Sequence, residues 1–263
     1  MTNAFEKQHQ GEALWSQPVV PAAIESRAIL HVVSARDYAS TGTVLNELPG
    51  VLTGKTNPPI GGLLKRIMDL AIAGAALVLA APVMIVVGLL IKVTAGGGPA
   101  VFSHRRVGFG GSSFNCYKFR SMVANSDEVL KAYLESNAHA RKEWEETHKI
   151  RNDPRVTLFG RLLRKSSLDE LPQLINILRG DMSCVGPRPI VEDELRRYGE
   201  HQAEYLAARP GLTGLWQVSG RSSMDYNNRV ALDSHYVRNW SIWLDIVILL
   251  RTIVAVMRVG RAS

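Results

Sequence analysis

The chain has little cysteine: Cys116 and Cys184 are the only two among 263 residues. Two cysteines supply neither a zinc cluster nor a disulfide framework, so both are expected to be reduced cytosolic thiols. Acidic residues are also few, 24 against 31 Lys and Arg, which gives a formal net charge of +7. A basic excess indicates an anionic partner, such as nucleic acid, acidic lipid or a phosphorylated substrate. No nucleic-acid-binding motif is visible, so nucleic acid is not the expected partner.

Residues 1–60 lack long hydrophobic runs and mix Gln, Glu, Asn and Ser with five prolines. The first long apolar stretch begins only near residue 67, so no cleavable signal peptide is expected. The dipeptides Pro58-Pro59 and Gly61-Gly62 are typical of a boundary. We therefore predict a variable, loosely ordered extension over residues 1–60 and one folded domain over residues 61–263.

A long apolar run follows this boundary, since 22 residues from Leu70 to Ile91 carry no charge. A straight helix of that length would measure about 33 Å, the thickness of a bilayer core. Pro82 near its middle favours a kink, and Lys65 and Lys92 make both flanks basic, although a spanning helix concentrates positive charge on one side. These features favour a broken helix over residues 67–92 that enters and leaves the membrane on the same face. A spanning helix and a buried helix of a soluble core stay open as alternatives.

A β-hairpin is predicted next, with strands in residues 100–107 and 113–119 around the glycine-rich turn 108–111. Lys118 and Arg120 are alternate residues of the second strand and would share a face, where they could contact phosphate oxygens. A solvated face explains them equally well. Residues 125–149 are then predicted to form one charged amphipathic helix.

Two carboxylates stand side by side in the segment "SSLDELPQL". Ser167 and Glu170 fit a helix-capping box, which would make the pair structural. Pro172, however, is tolerated best in the first helical turn, so the helix is predicted to start near Asp169. Both carboxylates would then lie beside Arg164 at a helix N-terminus, where anions bind. A divalent cation can bridge carboxylate and phosphate, which makes magnesium-dependent phosphoryl transfer with a carboxylate nucleophile the chemical alternative to capping.

Three later segments complete the pattern. Prolines on both sides of Arg188 restrict the backbone and therefore the direction of its side chain. An anion-binding site and a surface turn both explain this pattern. Residues 209–221 are predicted to form a loop that could close over a nucleotide. A last helix, apolar nearly all round, is predicted over residues 239–258, with Asp245 on a narrow polar stripe.

Four segments resemble the bacterial sugar transferases, the monotopic polyprenyl-phosphate phosphoglycosyl transferases. They are "YKFRSM" (117–122), "DPRVTLFGRLLRKSSLDELPQLINILRGDMSCVGPRP" (153–189), "RPGLTGLWQVSGR" (209–221) and "YVRNWSIWLDIVILLRT" (236–252). The resemblance covers roughly residues 61–263, with the motifs in order. It implies transfer of hexose 1-phosphate from a UDP-sugar to undecaprenyl phosphate with release of UMP, at the start of exopolysaccharide synthesis. Galactose is the expected hexose and glucose the next.

The resemblance also implies site residues. Asp169 would attack the β-phosphate and form a phosphosugar-aspartyl intermediate, and Asp169 with Glu170 would hold Mg²⁺. The substrate-binding residues would be Arg164, Arg188, Lys118, Arg120 and Arg221. Ala81-Pro82 stands where the family often has Ser-Pro at the break of the membrane helix.

The expected fold class is α+β: a mostly helical, membrane-associated catalytic domain with a broken re-entrant helix and a short β-hairpin. The expected location is the bacterial inner membrane, with the catalytic domain on the cytoplasmic side. Two rivals stay open. One is a transferase that forms no covalent intermediate, and the other is a non-enzymatic, basic, membrane-anchored binding protein.

Overall fold

The computed structural model describes residues 58–94, 98–147, 150, 152–220 and 225–261. The predicted extension therefore lies outside the described residues, apart from residues 58–60, and so does Arg221.

Helices dominate the described residues and two small sheets accompany them, which confirms the α+β class. The strands are β1 (Val101–Val107), β2 (Ser113–Phe119), β3 (Ser183–Val185) and β4 (Gly211–Thr213). The helices are α1 (Gly62–Thr94), α2 (Ser126–Ser136), α3 (Ala138–Thr147), α4 (Leu158–Ser166), α5 (Gln173–Arg179), α6 (Glu192–Leu195), α7 (Gln202–Leu206), α8 (Leu215–Ser219), α9 (Tyr226–Arg238) and α10 (Ile242–Arg261). Strands β1 and β2 pair antiparallel, whereas β3 and β4 pair parallel.

The predicted hairpin is confirmed. Strand β1 pairs with β2 from Val101 opposite Phe119 to Val107 opposite Ser113. The turn uses Gly110 at φ 64°, a left-handed conformation that glycine adopts without a steric cost.

The apolar run forms α1, and its helical conformation continues through Pro82. The predicted break is therefore not a gap in the helix. Proline removes one backbone hydrogen bond, and a helix can continue past that loss. Side chains around the middle of α1 are largely exposed, with Val78 at 74% and Leu79 at 80%. The helix is long and apolar enough to cross a membrane by length and composition, and only 11% of its most apolar window is buried.

Both ends of α1 pack on the same folded body. Near the first end, Lys65 Nζ lies 2.6 Å from Asp245 Oδ2 of α10. Near the other end, Val87 and Ile91 are buried in a cluster with Phe119 of β2. The two contacts are compatible with a helix whose ends both lie on the same side of the membrane. The re-entrant course stays a prediction.

Two predicted segments are corrected. The single helix expected over residues 125–149 is two helices, because the backbone of Asn137 is extended (φ −132°) and ends α2. Its side-chain Oδ1 then accepts a hydrogen bond from the Ala140 N–H at 3.0 Å. The loop expected over residues 209–221 contains β4 and α8. Pairing with β3, distant in sequence, orders this segment, and local composition gives no signal for such pairing.

The C-terminal helix is confirmed as α10, although Asp245 is fully buried rather than part of a surface stripe. Besides Lys65, its carboxylate accepts hydrogen bonds from Tyr236 Oη at 2.7 Å and from Trp240 Nε1 at 3.0 Å. This buried network holds the start of α1 against the first turn of α10.

Candidate active site

The two adjacent carboxylates, Asp169 and Glu170, hereafter the dyad, lie in a tight turn between two helices. Helix α4 ends at Ser166. Its C-cap, Ser167, has a left-handed φ of 58°, and a single 3₁₀ turn over Leu168–Glu170 follows. Helix α5 begins only at Gln173, with Pro172 as its N-cap. The predicted start near Asp169 is therefore wrong.

The capping box does not form either. The side chain of Ser167 makes no capping hydrogen bond to the turn, and a carboxylate oxygen of Glu170 instead accepts from Lys118. The dyad thus has no capping role that would account for two adjacent acids.

Two cations approach the dyad from different elements. Lys118 Nζ of β2 lies 2.6 Å from Glu170 Oε1, and both side chains are 37% exposed. Arg164, in the last turn of α4, donates from Nε to Ser121 Oγ at 2.8 Å. Its positive charge still acts on Asp169. The structure therefore places Lys118 in contact with the dyad and the charge of Arg164 near Asp169, and the binding of substrate by these two cations stays a prediction.

The surroundings of Asp169 change the pKa of its carboxyl. Burial raises the pKa of Asp169 above its ordinary value of 3.8, and the charge of Lys118 opposes that rise. The Glu170 carboxylate raises the pKa of Asp169 further, because two like charges in one turn repel. A partly desolvated carboxylate held by nearby cations is suited to nucleophilic attack on phosphorus.

A buried asparagine locks the hairpin onto the helix that follows the dyad. Asn176 of α5 is fully buried, accepts from the Tyr117 backbone N–H at 3.0 Å and donates to the Asn115 carbonyl at 2.8 Å. Its Nδ2 also donates to Asp181 Oδ2 at 3.0 Å. These bonds fix the position of Lys118, the next residue along β2. Sequence reasoning missed Asn176, because a lone asparagine in an apolar helix carries no motif.

The other predicted substrate-binding residues lie elsewhere. Arg120 follows β2, and its guanidinium packs against Gly98. Within the described part of the chain, no hydrogen bond or ion pair joins Arg120 to the dyad. Arg188 lies in the turn after β3, where its N–H donates to Asp233 Oδ2 at 3.4 Å and its guanidinium stands 5.6 Å from the Trp216 ring centroid.

The chemistry of the dyad can be compared with what Mg²⁺ needs. Mg²⁺ commonly takes one or two protein carboxylates and completes its shell with phosphate oxygens and water. Asp169 and Glu170 supply that many, although Lys118 already engages one oxygen of Glu170. No group of three or more metal-binding side chains occurs among the residues that the structure describes. The two carboxylates therefore fit a Mg²⁺ ion whose other ligands would be diphosphate oxygens and water.

Comparison with known proteins gives one family. Residues 60–259 match the family model described as bacterial sugar transferase.

Curated relatives extend this match. The chain is 57% identical to the undecaprenyl-phosphate galactose phosphotransferase of Salmonella typhimurium over 195 residues, which are 74% of this chain and 40% of that protein. It is 52% identical to the exopolysaccharide production protein ExoY of Rhizobium meliloti over 198 residues, 75% of this chain and 87% of that protein. It is 39% identical to the UDP-glucose:undecaprenyl-phosphate glucose-1-phosphate transferase of Caulobacter vibrioides over 208 residues, 76% of this chain and 72% of that protein. The chain thus spans about two-fifths of the matched Salmonella relative and most of ExoY.

Proposed function

Because the chain belongs to the bacterial sugar transferase family, we propose that it transfers hexose 1-phosphate from a UDP-sugar to undecaprenyl phosphate. UMP is the second product, and the reaction begins assembly of an exopolysaccharide repeat unit. Relatives named for this chemistry support the proposal, and ExoY, named for exopolysaccharide production, is matched over most of its length.

Galactose is the proposed hexose and glucose the alternative. Three relatives named for galactose are 57%, 51% and 42% identical, whereas two relatives named for glucose are 42% and 39% identical. Measuring UMP release with UDP-galactose and UDP-glucose side by side decides between them.

The observation that carries the mechanism is the position of the dyad between two cations. Asp169 attacks the β-phosphorus of the donor, so a carboxylate oxygen–phosphorus bond forms. The phosphoanhydride bond breaks and UMP leaves with its electron pair. An oxygen of undecaprenyl phosphate then attacks the same phosphorus and displaces Asp169, which gives undecaprenyl diphosphate hexose and the free carboxylate.

Neighbouring side chains have separate roles in this scheme. Lys118 and Arg164 offset negative charge on the phosphoryl oxygens and hold the Asp169 carboxyl ionised. Glu170 is held in place by Lys118 at 2.6 Å. Magnesium bound by the dyad would neutralise diphosphate charge and orient the leaving group.

The reaction is proposed to take place at the cytoplasmic face of the bacterial inner membrane. Helix α1, which is long and apolar enough to cross a membrane, supplies the membrane contact. The acceptor is a lipid phosphate, so a catalytic turn close to the bilayer surface suits it.

The decisive experiment measures UMP released by the purified chain in detergent, with and without added polyprenyl phosphate. The proposal expects release from a UDP-sugar that depends on the acceptor. A basic membrane-binding protein without enzyme activity would release no UMP above the background without protein. A transferase that forms no covalent intermediate would release UMP, yet no phosphosugar adduct would be trapped on Asp169.

A further inference from the structure

A buried serine, Ser121, connects the exit of the hairpin to a cation near the dyad. It follows the end of β2 and is only 8% exposed. Its hydroxyl oxygen accepts a hydrogen bond from Arg164 Nε at 2.8 Å, although the two residues are 43 positions apart. The same short segment carries Lys118, the cation that contacts the dyad. The positions of both cations therefore depend on residues 118–121.

The backbone of Ser121 is held against the first turn of α4. The Ser121 carbonyl accepts from the backbone N–H of Thr157, the N-cap of α4, at 3.2 Å. A Cβ built on Gly160 would lie 1.9 Å from that carbonyl oxygen and 2.9 Å from the Ser121 Cα. Glycine is the residue that allows two backbone segments to approach so closely. Backbone contacts therefore set where the Ser121 hydroxyl lies relative to α4.

Backbone hydrogen bonds also hold the residues on both sides of Ser121. The N–H of Arg120 donates to the Ala100 carbonyl at 2.9 Å, and the N–H of Val123 donates to the Arg155 carbonyl at 2.9 Å. The serine hydroxyl is thus a fixed acceptor, because the chain cannot shift on either side of it without breaking these bonds.

The hydrogen bond from Nε determines which edge of the Arg164 guanidinium is left for a ligand. A guanidinium can bind an anion through Nε and one terminal nitrogen, or through its two terminal nitrogens. Ser121 occupies Nε, which leaves the terminal pair. Neither terminal nitrogen forms a hydrogen bond or salt bridge with a residue in the described part of the chain, and the side chain is exposed. The terminal pair is therefore available to two phosphoryl oxygens.

Ser121 orients Arg164 without neutralising it. The charge of Arg164 acts on two carboxylates, Asp153 and Asp169. Asp153 is already bound by Arg155, whose Nη2 and Nε lie 2.6 and 2.8 Å from its oxygens. Asp153 therefore has a cation of its own and need not draw Arg164 away from Asp169. A neutral hydroxyl then fixes the guanidinium and leaves its full positive charge for a phosphoryl group.

We propose that Ser121 is a positioning residue for the transfer reaction, whose hydroxyl holds Arg164 so that its terminal N–H groups face the phosphoryl oxygens at Asp169. This inference rests on the proposed function, which gives Arg164 a phosphoryl group to bind. Ser121 itself does not touch the substrate, so its effect passes through Arg164. Because negative charge on the phosphoryl oxygens is stabilised mainly in the transition state, the effect falls on kcat more than on KM.

The test measures UMP release by the full chain in detergent, with a UDP-sugar and polyprenyl phosphate. Ser121→Ala should lower kcat about tenfold to a hundredfold, since a misplacement of about 1 Å in a catalytic constellation can cost that much. KM for the UDP-sugar should stay within about threefold of the wild-type value. Ser121→Thr keeps the hydroxyl and should restore kcat to within about threefold of wild type.

Ser166→Ala is the matched control, because it removes a hydroxyl from α4 itself. The Ser166 hydroxyl lies 2.8 Å from the Leu162 carbonyl oxygen and 3.1 Å from that of Leu163, both within its own helix. This variant should keep wild-type kcat and KM. Ser121→Cys is a second variant, in case Ser121→Ala does not fold as judged by its melting curve. Sulfur is a weak acceptor, so this variant should also lower kcat.

A double-mutant cycle separates positioning from a general structural effect. Ser121→Ala is combined with Arg164→Met, and kcat is measured for both single variants and the double variant. If Ser121 acts through Arg164, its hydroxyl has nothing to position once the guanidinium is gone. The double variant should then match Arg164→Met within about twofold, which is a strong departure from additivity.

Each outcome supports or overturns the inference. If wild type releases UMP and Ser121→Ala releases it equally fast, the positioning role is wrong while the proposed transfer stands. If Ser121→Ala lowers kcat equally with and without Arg164, or if folded Ser121→Thr is as slow as Ser121→Ala, the hydroxyl does not act through Arg164 and the inference is overturned. If wild type releases no UMP that depends on the acceptor, the proposed function falls and the positioning role falls with it.

Discussion

Lys118 and Glu170, 52 residues apart in sequence, lie 2.6 Å apart between side-chain nitrogen and oxygen. This contact joins a cation of the hairpin to the turn that carries the dyad and holds the Glu170 carboxylate in place. Lys118 also acts on Asp169: burial raises the pKa of the Asp169 carboxyl, and the positive charge of Lys118 lowers it.

Replacing Lys118 by methionine should therefore shift the pH dependence of transfer. Without the ammonium the pKa of Asp169 rises further, so the carboxylate needed for attack is lost at higher pH. The acid limb of kcat/KM should move to higher pH, and kcat/KM at neutral pH should fall about tenfold to a hundredfold. Arg105→Met is the control, since Arg105 is an exposed cation on the partner strand, and its pH profile should match that of wild type. An unshifted acid limb in the Lys118 variant would contradict the assigned role.

Local patterns predicted the elements that depend on local chemistry. The hairpin follows from alternating side chains around a glycine turn, and Gly180 ends α5 at φ 95° as its sequence position indicates. The acid pair and its cation Arg164 were also visible in the sequence. The helix start inferred from Pro172 is wrong, because proline is tolerated both in the first helical turn and at the N-cap. The left-handed backbone of Ser167, which the sequence does not reveal, decides where the chain turns before the helix.

Contacts between distant residues could not be predicted in the same way. Asp245 reads as part of a polar stripe, and its pairing with Lys65, 180 residues away, depends on how α1 packs on α10. The sequence likewise gives no signal that Trp216 lies against Arg188, 28 residues earlier, since a single aromatic residue in a glycine-rich segment is common. Such residues become informative only when burial and unsatisfied hydrogen bonds are known.

The buried pair Lys65–Asp245 should contribute strongly to stability when either partner is removed alone. Their side chains are 5% and 0% exposed. Lys65→Met leaves a buried carboxylate without its cation and should destabilise the fold by about 3 kcal/mol. Lys65→Met with Asp245→Asn should recover part of the loss, because the charge is removed and the side chain still accepts from Tyr236. Melting curves in detergent provide the measurement.

Lys92→Met is the control for this cycle, since Lys92 is exposed at the other end of α1. It should change the melting temperature little. Equal losses in Lys65→Met and Lys92→Met would mean that the buried pair has no special role.

Asp233 should make stability depend on pH. Burial raises the pKa of Asp233 from 3.8 to about 7, although a hydrogen bond from Tyr198 opposes the rise. The folded state therefore binds the proton more tightly than the unfolded state. The resulting stabilisation is fully present below about pH 4 and is lost as pH rises through about 7, a change on the order of a few kcal/mol.

Asp233→Asn should flatten this dependence between pH 5 and 8, measured as melting temperature against pH. Asp225→Asn is the control, because Asp225 is exposed at the N-cap of α9 and asparagine caps equally well. Its pH dependence should follow that of wild type. A slope that survives in Asp233→Asn would assign the effect to another group.

The course of α1 gives a topology prediction. Both of its ends pack on one body, so tags at residue 60 and at the C-terminus should report the same, cytoplasmic, side. Pro82→Leu should straighten the helix and move part of the population to a spanning form, whereas Val83→Leu, at a neighbouring exposed position, should not. Wild-type tags on opposite sides would rule out a re-entrant course.

Asp169→Asn separates a structural role from nucleophilic chemistry in one substitution. Asparagine keeps the shape and hydrogen bonding of the turn but cannot attack phosphorus. Since the Ser167 side chain makes no cap in this turn and Lys118 pairs with Glu170 rather than Asp169, the variant should melt close to wild type. UMP release should fall on the order of a thousandfold or more. Glu170→Gln should also lose activity through weaker metal binding, with partial rescue by excess Mg²⁺. Activity of Asp169→Asn within tenfold of wild type, at an unchanged melting temperature, would end the nucleophile assignment.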